Sequence, residues 1–214
     1  MMRPPRAGRV GPPLRTWRDG RALWEEWAFA TLLEQRRVFL TGTLDQESAA
    51  QVSGELMLLD ASGDDPIEIH IDSGDGDIDA AITLVDVIDL LGVPVHTVCV
   101  GRAVGPSLAV FAVGAPRLAL PHARFRLCEP SASFDGPATA VGAWAEHRHA
   151  VLDRVCVRLG HATGRTSEEV RELMHRGEFW DAEAAREHGF VDEVAGPEAR
   201  VLRFPRRIGF HPEP

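Results

Sequence analysis

Apolar residues in this chain switch back and forth between two periods, and that alternation restricts the fold more than any other feature. Pro66–Asp72 (PIEIHID) places an isoleucine at every second position, as a half-buried strand does. Ile78–Leu91 repeats its apolar residues at helical spacing and is stopped by Gly92 and Pro94. The same pairing occurs upstream. Arg36–Gly42 (RRVFLTG) reads as a buried strand, and Asp45–Leu59 as an amphipathic helix with Asp45 as its N-cap and Glu47 and Ser48 in its first turn. It occurs again downstream, where Val95–Val100 reads as a strand and Pro106–Val113 as a buried helix of small and apolar residues. Strands that alternate with helices are joined by right-handed crossovers. The expected class is therefore α/β, with helices covering a mainly parallel sheet.

The remaining segments fit around this unit. Residues 1–20, rich in Arg, Pro and Gly, read as a flexible arm. Residues 21–35 carry Leu23, Trp24, Trp27, Ala28, Leu32 and Leu33 at helical spacing and read as an N-terminal helix packed through its tryptophans. Ser73–Asp77 reads as a glycine and aspartate turn. Short strands are expected at Arg117–Leu120, Arg124–Leu127 and Phe190–Val194. A long helix is expected over Pro137–Leu159, with Trp144, Val151, Val155 and Leu159 on one stripe. Ser167–His175 and Asp181–His188 read as short helices, the second capped by Asp181 and ended by Gly189. One domain over residues 21–195 is followed by a Pro- and Arg-rich tail, 196–214.

Composition removes several classes of function. The 214 residues suffice for one real core. A net charge of −9 argues against non-specific nucleic-acid binding and against an acidic membrane surface. No apolar run approaches the length of a membrane span, and no apolar core follows the N-terminal arginines as a secretory signal requires. Cys99, Cys128 and Cys156 match no zinc or redox spacing, which points to reduced thiols in a cytoplasm. All 23 basic residues are Arg, and Lys, Tyr and Asn are absent, the mark of a GC-rich bacterial genome. Asp72, Asp75, Asp77 and Asp79 crowd one turn but lack EF-hand spacing, so a solvated acidic turn is expected there. No cofactor or metal motif is present. Of His70, His96, His147, His149 and His175, most are expected at the surface, and none falls at a base position.

The stretch Cys99–Ala109 (CVGRAVGPSLA) reads as strand, tight turn and helix start, the place where a serine hydrolase holds its nucleophile. At the apex stand Gly105 and Pro106. With this turn in view, several motifs fall in one order. They are Arg37-Val-Phe-Leu, Ile71-Asp-Ser-Gly-Asp-Gly76, Cys99-Val-Gly-Arg-Ala, Ala119-Leu-Pro, Glu129-Pro130, Thr163-Gly164, and Phe179 followed by Ala182, Glu183, Ala185, Gly189 and Val191-Asp192. The chain, over about residues 31–195, resembles the ClpP family, the proteolytic subunit of the ATP-dependent Clp protease. That resemblance implies a crotonase-like α/β domain with a protruding handle helix, here 137–159. It also implies heptameric rings stacked through the handles into a tetradecameric barrel.

The same resemblance places the family's chemistry residue by residue. The nucleophile position is Gly105, the base position Cys128 and the orienting-acid position Gly177, so no member of a Ser-His-Asp triad is in place. Of the two oxyanion donors, the N–H of Gly76 is kept. The other falls on Pro106, which has no N–H. Ser107 and Cys128 are the alternative nucleophiles. Ser107 is turned roughly 200° from position 105 on a helix. His122, the histidine in the Cys128 segment, is about 20 Å away if that segment is extended.

Three functions follow. The first is a catalytically inactive, ClpR-like subunit that builds or caps a barrel, alone or with an active ClpP paralogue. The second is an endopeptidase subunit using Ser107 or Cys128, or one completed by a partner. The third is another crotonase-like acyl-binding protein, against which Pro106 counts. In the tail, Ile208, Gly209 and Phe210 resemble the tripeptide by which ClpX-type ATPases dock on ClpP rings. The family's aromatic cleft positions are Glu68 and His70 here, which implies weakened ATPase docking on this chain's own face.

Overall fold

A computed structural model describes residues 30–196. The N-terminal helix, α1, is described over 30–34 and leads into β1 (Arg37–Leu44). The order then runs α2 (Gln46–Ser62), β2 (Ile67–Gly76), α3 (Ile78–Leu90), β3 (Val95–Val104), α4 (Pro106–Val113), β4 (Arg117–Ala119) and β5 (Arg124–Arg126). A 3-10 turn at Ala138–Ala140 precedes α5 (Val141–Thr163). The chain continues through α6 (Ser167–Arg176), β6 (Phe179–Asp181), α7 (Ala182–Glu187) and β7 (Glu193–Val194). The arm, Trp24, Trp27 and the Ile208–Gly209–Phe210 tail lie outside the described residues.

The expected α/β class holds. β1, β2, β3, β4 and β7 pair side by side, every neighbour parallel. β3 forks: Thr97–Cys99 pairs with β4, whereas Arg102–Val104 pairs with β5. β6 then joins β5 as the one antiparallel strand of the described sheet. Ile67, Ile69 and Ile71 of β2 are fully buried, as the period-two pattern requires. α4 is the buried centre of the molecule. Its residues Pro106–Ala112 are all buried, and it packs on β2, β3, α3 and α5. The Thr97 hydroxyl donates to the Phe111 carbonyl at 2.7 Å and ties α4 to β3.

Local signals explain most boundaries. The Asp45 side chain accepts the Ser48 N–H and the Ser48 hydroxyl accepts the Asp45 N–H, which closes a capping box on α2. Thr166 and Glu169 do the same for α6. α5 passes through Gly160 without breaking. That glycine is required by packing, since a Cβ there would lie 2.7 Å from the Arg165 carbonyl oxygen.

Three expectations need correction. Ser73–Asp77 is not a free turn; β2 continues to Gly76 because β1 keeps pairing with it across register shifts. The long helix starts at Val141 and runs to Thr163, not over 137–159, because Pro137 holds an extended backbone and the left-handed Gly164 provides the stop. Trp144 leaves the core stripe and packs on Phe134 instead, with ring centroids 5.4 Å apart. Among the histidines, His70 is an exception to surface placement, at 1% exposed. It stacks on Phe39 at 5.0 Å, and its Nε2 lies 3.2 Å from the Glu68 carboxylate, which also accepts from Arg37.

Candidate functional site

The three positions that the sequence assigns to a triad converge. Gly105 lies between β3 and α4, Cys128 just beyond β5, and Gly177 at the end of α6. A Cβ at Gly105 would lie 3.6 Å from the Cys128 sulfur, and a Cβ at Gly177 would lie 3.6 Å from the Cys128 Cβ. The fold therefore brings positions 105, 128 and 177 together, occupied here by two glycines and a cysteine.

The backbone of the turn is that of a nucleophile elbow. Gly105 has φ +56° and ψ −123°, a conformation that costs an L side chain about 1–3 kcal/mol. Its N–H donates to the Arg126 carbonyl at 2.8 Å, which pins the elbow to β5. Pro106 occupies the first position of α4. That is a favourable place for proline in a helix, because the N–H it lacks has no intrahelical acceptor there. The same position is the one where the family resemblance implies the second oxyanion donor. Gly177 also has a structural duty. It ends α6 in a left-handed conformation, φ +59°, with its N–H on the Leu173 carbonyl.

Asp75, named in the sequence as part of an acidic turn, reaches the same place. Asp75 Oδ1 accepts the Gly76 N–H at 2.8 Å and stands 3.6 Å from a Cβ at Gly105. The Gly76 N–H, which the family resemblance implies as an oxyanion donor, is thus already bonded to a carboxylate. An acyl oxygen developing charge there would meet a carboxylate instead of a dipole pointing toward it. Gly76 itself has to remain glycine: a Cβ would fall 2.4 Å from the Leu44 carbonyl oxygen.

Neither alternative nucleophile is activated. Ser107 is fully buried. Its Oγ accepts the Val104 N–H and lies 2.9 Å from the carbonyls of Ser73 and Val104, so it braces the turn from behind. Cys128 is half-buried, and burial pushes its thiol up from the ordinary range. Asp75 adds to that rise and Arg126 opposes it. Among the groups that shift this thiol there is no histidine. Arg126 fills the space beside Gly177: its Nε donates to the Gly177 carbonyl at 2.9 Å, and its guanidinium lies 4.6 Å from the centre of the Phe179 ring. Arg126 stands two residues before Cys128 on an extended run, so strand periodicity alone marks it as facing the same site.

The acidic segment is spoken for residue by residue. Asp72 faces Arg102 at 3.7 Å, Asp75 binds Gly76, and Asp77 caps α3 by accepting the Asp79 N–H at 2.7 Å. Among the described residues, no group of three or more His, Cys, Asp or Glu side chains is arranged to hold a metal ion.

Three comparisons bear on this geometry. The profile of the family described as Clp protease matches residues 24–198. The ATP-dependent Clp protease proteolytic subunit 1 of Nocardia farcinica (strain IFM 10152) is 33% identical over 172 residues, which is 79% of this chain and 87% of that protein. Among solved structures, a mutant ClpP1 from Listeria monocytogenes matches with a TM-score of 0.72, covering 80% of this chain and 97% of the other. At 24% identity that likeness is one of fold.

Proposed function

The chain belongs to the Clp protease family, and on that premise we propose that it is a catalytically inactive ClpP-like subunit that builds or regulates a Clp-type barrel. The observation that carries this reading is the meeting of Gly105, Cys128 and Gly177 at van der Waals distance, with Asp75 lodged on the remaining oxyanion donor. Three chemical parts are removed independently: the nucleophile, the base with its orienting acid, and the oxyanion hole. Replacing one leaves the other two missing. The fold around them is whole, which supports a role that depends on shape and surface.

In this role the chain self-associates into rings, with α5 as the handle between rings and an active ClpP paralogue as a partner. It works in a bacterial cytoplasm and needs no cofactor. Among the described residues no helix is long and apolar enough to cross a membrane. The face that would receive an ATPase is charged, since Arg37, Glu68 and His70 form one bonded cluster on β1 and β2. An apolar docking peptide would have to strip water from the partly exposed Glu68 carboxylate, which weakens docking on this subunit. The Ile208–Gly209–Phe210 tail is proposed to occupy a cleft on a neighbouring subunit or an active ClpP partner and to compete there with the ATPase.

Two measurements test the reading. A fluorophosphonate probe and a small fluorogenic peptide should show neither labelling nor turnover. Native mass, alone and mixed with active ClpP from the same cell, should show ring-sized species. Labelling that disappears in Ser107→Ala, or turnover that disappears in Cys128→Ala, would instead establish the endopeptidase reading. A monomer in both mass experiments would remove the assembly role.

A further inference from the structure

α3 and α5 each pack on the buried α4 and barely touch one another. Between them opens a cleft of about 160 Å³. Ala109 and Val113 of α4, Ile82 and Val85 of α3, and Val155 and Leu159 of α5 give it an apolar lining. An apolar cavity of about this size admits a benzene-sized group. Four charged side chains border the lining, the acids Asp86 and Asp89 from α3 and the bases Arg154 and Arg158 from α5.

Only one of the two possible pairs is closed. Arg158 Nε and Nη2 donate to the two carboxylate oxygens of Asp89 at 2.8 and 2.6 Å. One turn back on each helix stand Asp86 and Arg154. Both are exposed, and neither has a hydrogen-bond or ion-pair partner among the described residues. Asp153, the carboxylate next to Arg154 in the chain, is bonded to Arg171 at 2.6 Å. An unpaired negative and an unpaired positive charge therefore border the same apolar cleft. Their signs narrow the ligand. A lone carboxylate would meet Asp86 and Asp89 along α3, and a lone ammonium would meet Arg154 and Arg158 along α5. A ligand that carries both charges beside one apolar group meets each helix with the opposite sign.

We propose that this cleft binds the zwitterion of a free, leucine-sized apolar amino acid, with its ammonium on Asp86, its carboxylate on Arg154 and its side chain against Ala109 and Val113. Two charge-assisted bonds fix the polar end, and the apolar lining takes the side chain out of water. Asp89–Arg158 is the one polar bridge between α3 and α5 among the described residues, and the ligand adds a second. The site uses none of Gly105, Cys128 or Gly177 and does not depend on the assembly reading.

The test uses the full chain, isothermal titration calorimetry and four probes: L-leucine, isocaproate, isopentylamine and glycine. Isocaproate lacks only the ammonium of leucine, isopentylamine only the carboxylate, and glycine the apolar group. Leucine should bind with a Kd of about 1 mM or tighter, and about tenfold or more tightly than each of the others. Asp86→Asn should remove its advantage over isocaproate, and Arg154→Gln its advantage over isopentylamine. Both residues are exposed, so neither variant threatens the fold. No leucine binding up to roughly 20 mM, equal binding of leucine and either single-charge probe, or unchanged preferences in both variants overturns the proposal. So does a cleft that ignores leucine but whose Asp86→Asn variant changes the native mass, since that result would identify a neighbouring chain as the occupant.

Discussion

Two polar constellations sit at separate places in this sheet and have opposite fates. At the β4–β7 side, Arg117 and Asp192 keep a complete network. The Arg117 N–H and Nε donate to Asp192 Oδ2 at 2.7 and 3.0 Å, the guanidinium bridges to the other carboxylate oxygen, and it also donates to the carbonyls of Ala162 and Gly189 at 3.0 Å. This clasp joins β4, α5 and the strand leading to β7. At the Gly105 turn, by contrast, Gly105, Cys128 and Gly177 meet without a hydroxyl, an imidazole or a carboxylate on any of the three. The first constellation is a bonded polar network between elements; the second is a glycine turn beside a thiol.

The largest expected effect probes the framework that both constellations share. Phe111→Ala should cost about 3–5 kcal/mol, because Phe111 is fully buried in α4 against Phe125 and its loss leaves a cavity in the core. Denaturant unfolding checks this. Arg117→Ala should follow at about 3 kcal/mol, the lower end for breaking a buried pair, since Asp192 keeps some contact with water. If it costs no more than a surface mutation, the clasp is not structural and the contrast collapses.

Gly105→Ser should cost about 1–3 kcal/mol in backbone strain and yield no peptidase activity. Measurable turnover by that single variant would mean that Asp75 and Pro106 do not disable the oxyanion hole. A smaller effect concerns pH. Arg117 holds the Asp192 carboxyl below its ordinary value of 3.8. A carboxylate whose folded pKa is lowered adds stability that is full above the unfolded pKa and is lost as pH falls toward the folded one. Wild type should therefore lose stability more steeply than Asp192→Asn below about pH 4. Parallel slopes in an acid titration would remove this contribution.

The smallest effect lies in thiol reactivity. Asp75 raises the Cys128 pKa and Arg126 lowers it. Asp75→Ala should then speed Cys128 alkylation at neutral pH, and Arg126→Ala should slow it. Mass spectrometry of iodoacetamide adducts reads the order.

What the sequence made legible was whatever a short window decides. The Asp45 cap, the α4 boundaries and the glycine and proline at the elbow are all set by neighbours in the chain. β6 was missed because Phe179–Asp181 has no strand pattern of its own; pairing with β5 makes it extended. Ser73–Asp77 carried strong turn chemistry, and the ladder to β1 overrode it. Motif order picked out positions 105, 128 and 177, which the fold brings within van der Waals reach of one another. It did not locate Asp75, whose effect depends on which way one carboxylate points, although its place beside Gly76 was a usable sign. Burial of His70 was hidden for a similar reason: its supports, Phe39 and Glu68, lie partly on another strand.

Gly105 and Gly177 share one further property. Both hold positive φ, +56° and +59°, where any other residue would be under tension. A chain with serine and aspartate in those places would carry that tension permanently, in exchange for reactivity. This chain carries none of it at either position. Placing those two side chains in this backbone would therefore be uphill at the elbow and uphill again at the end of α6.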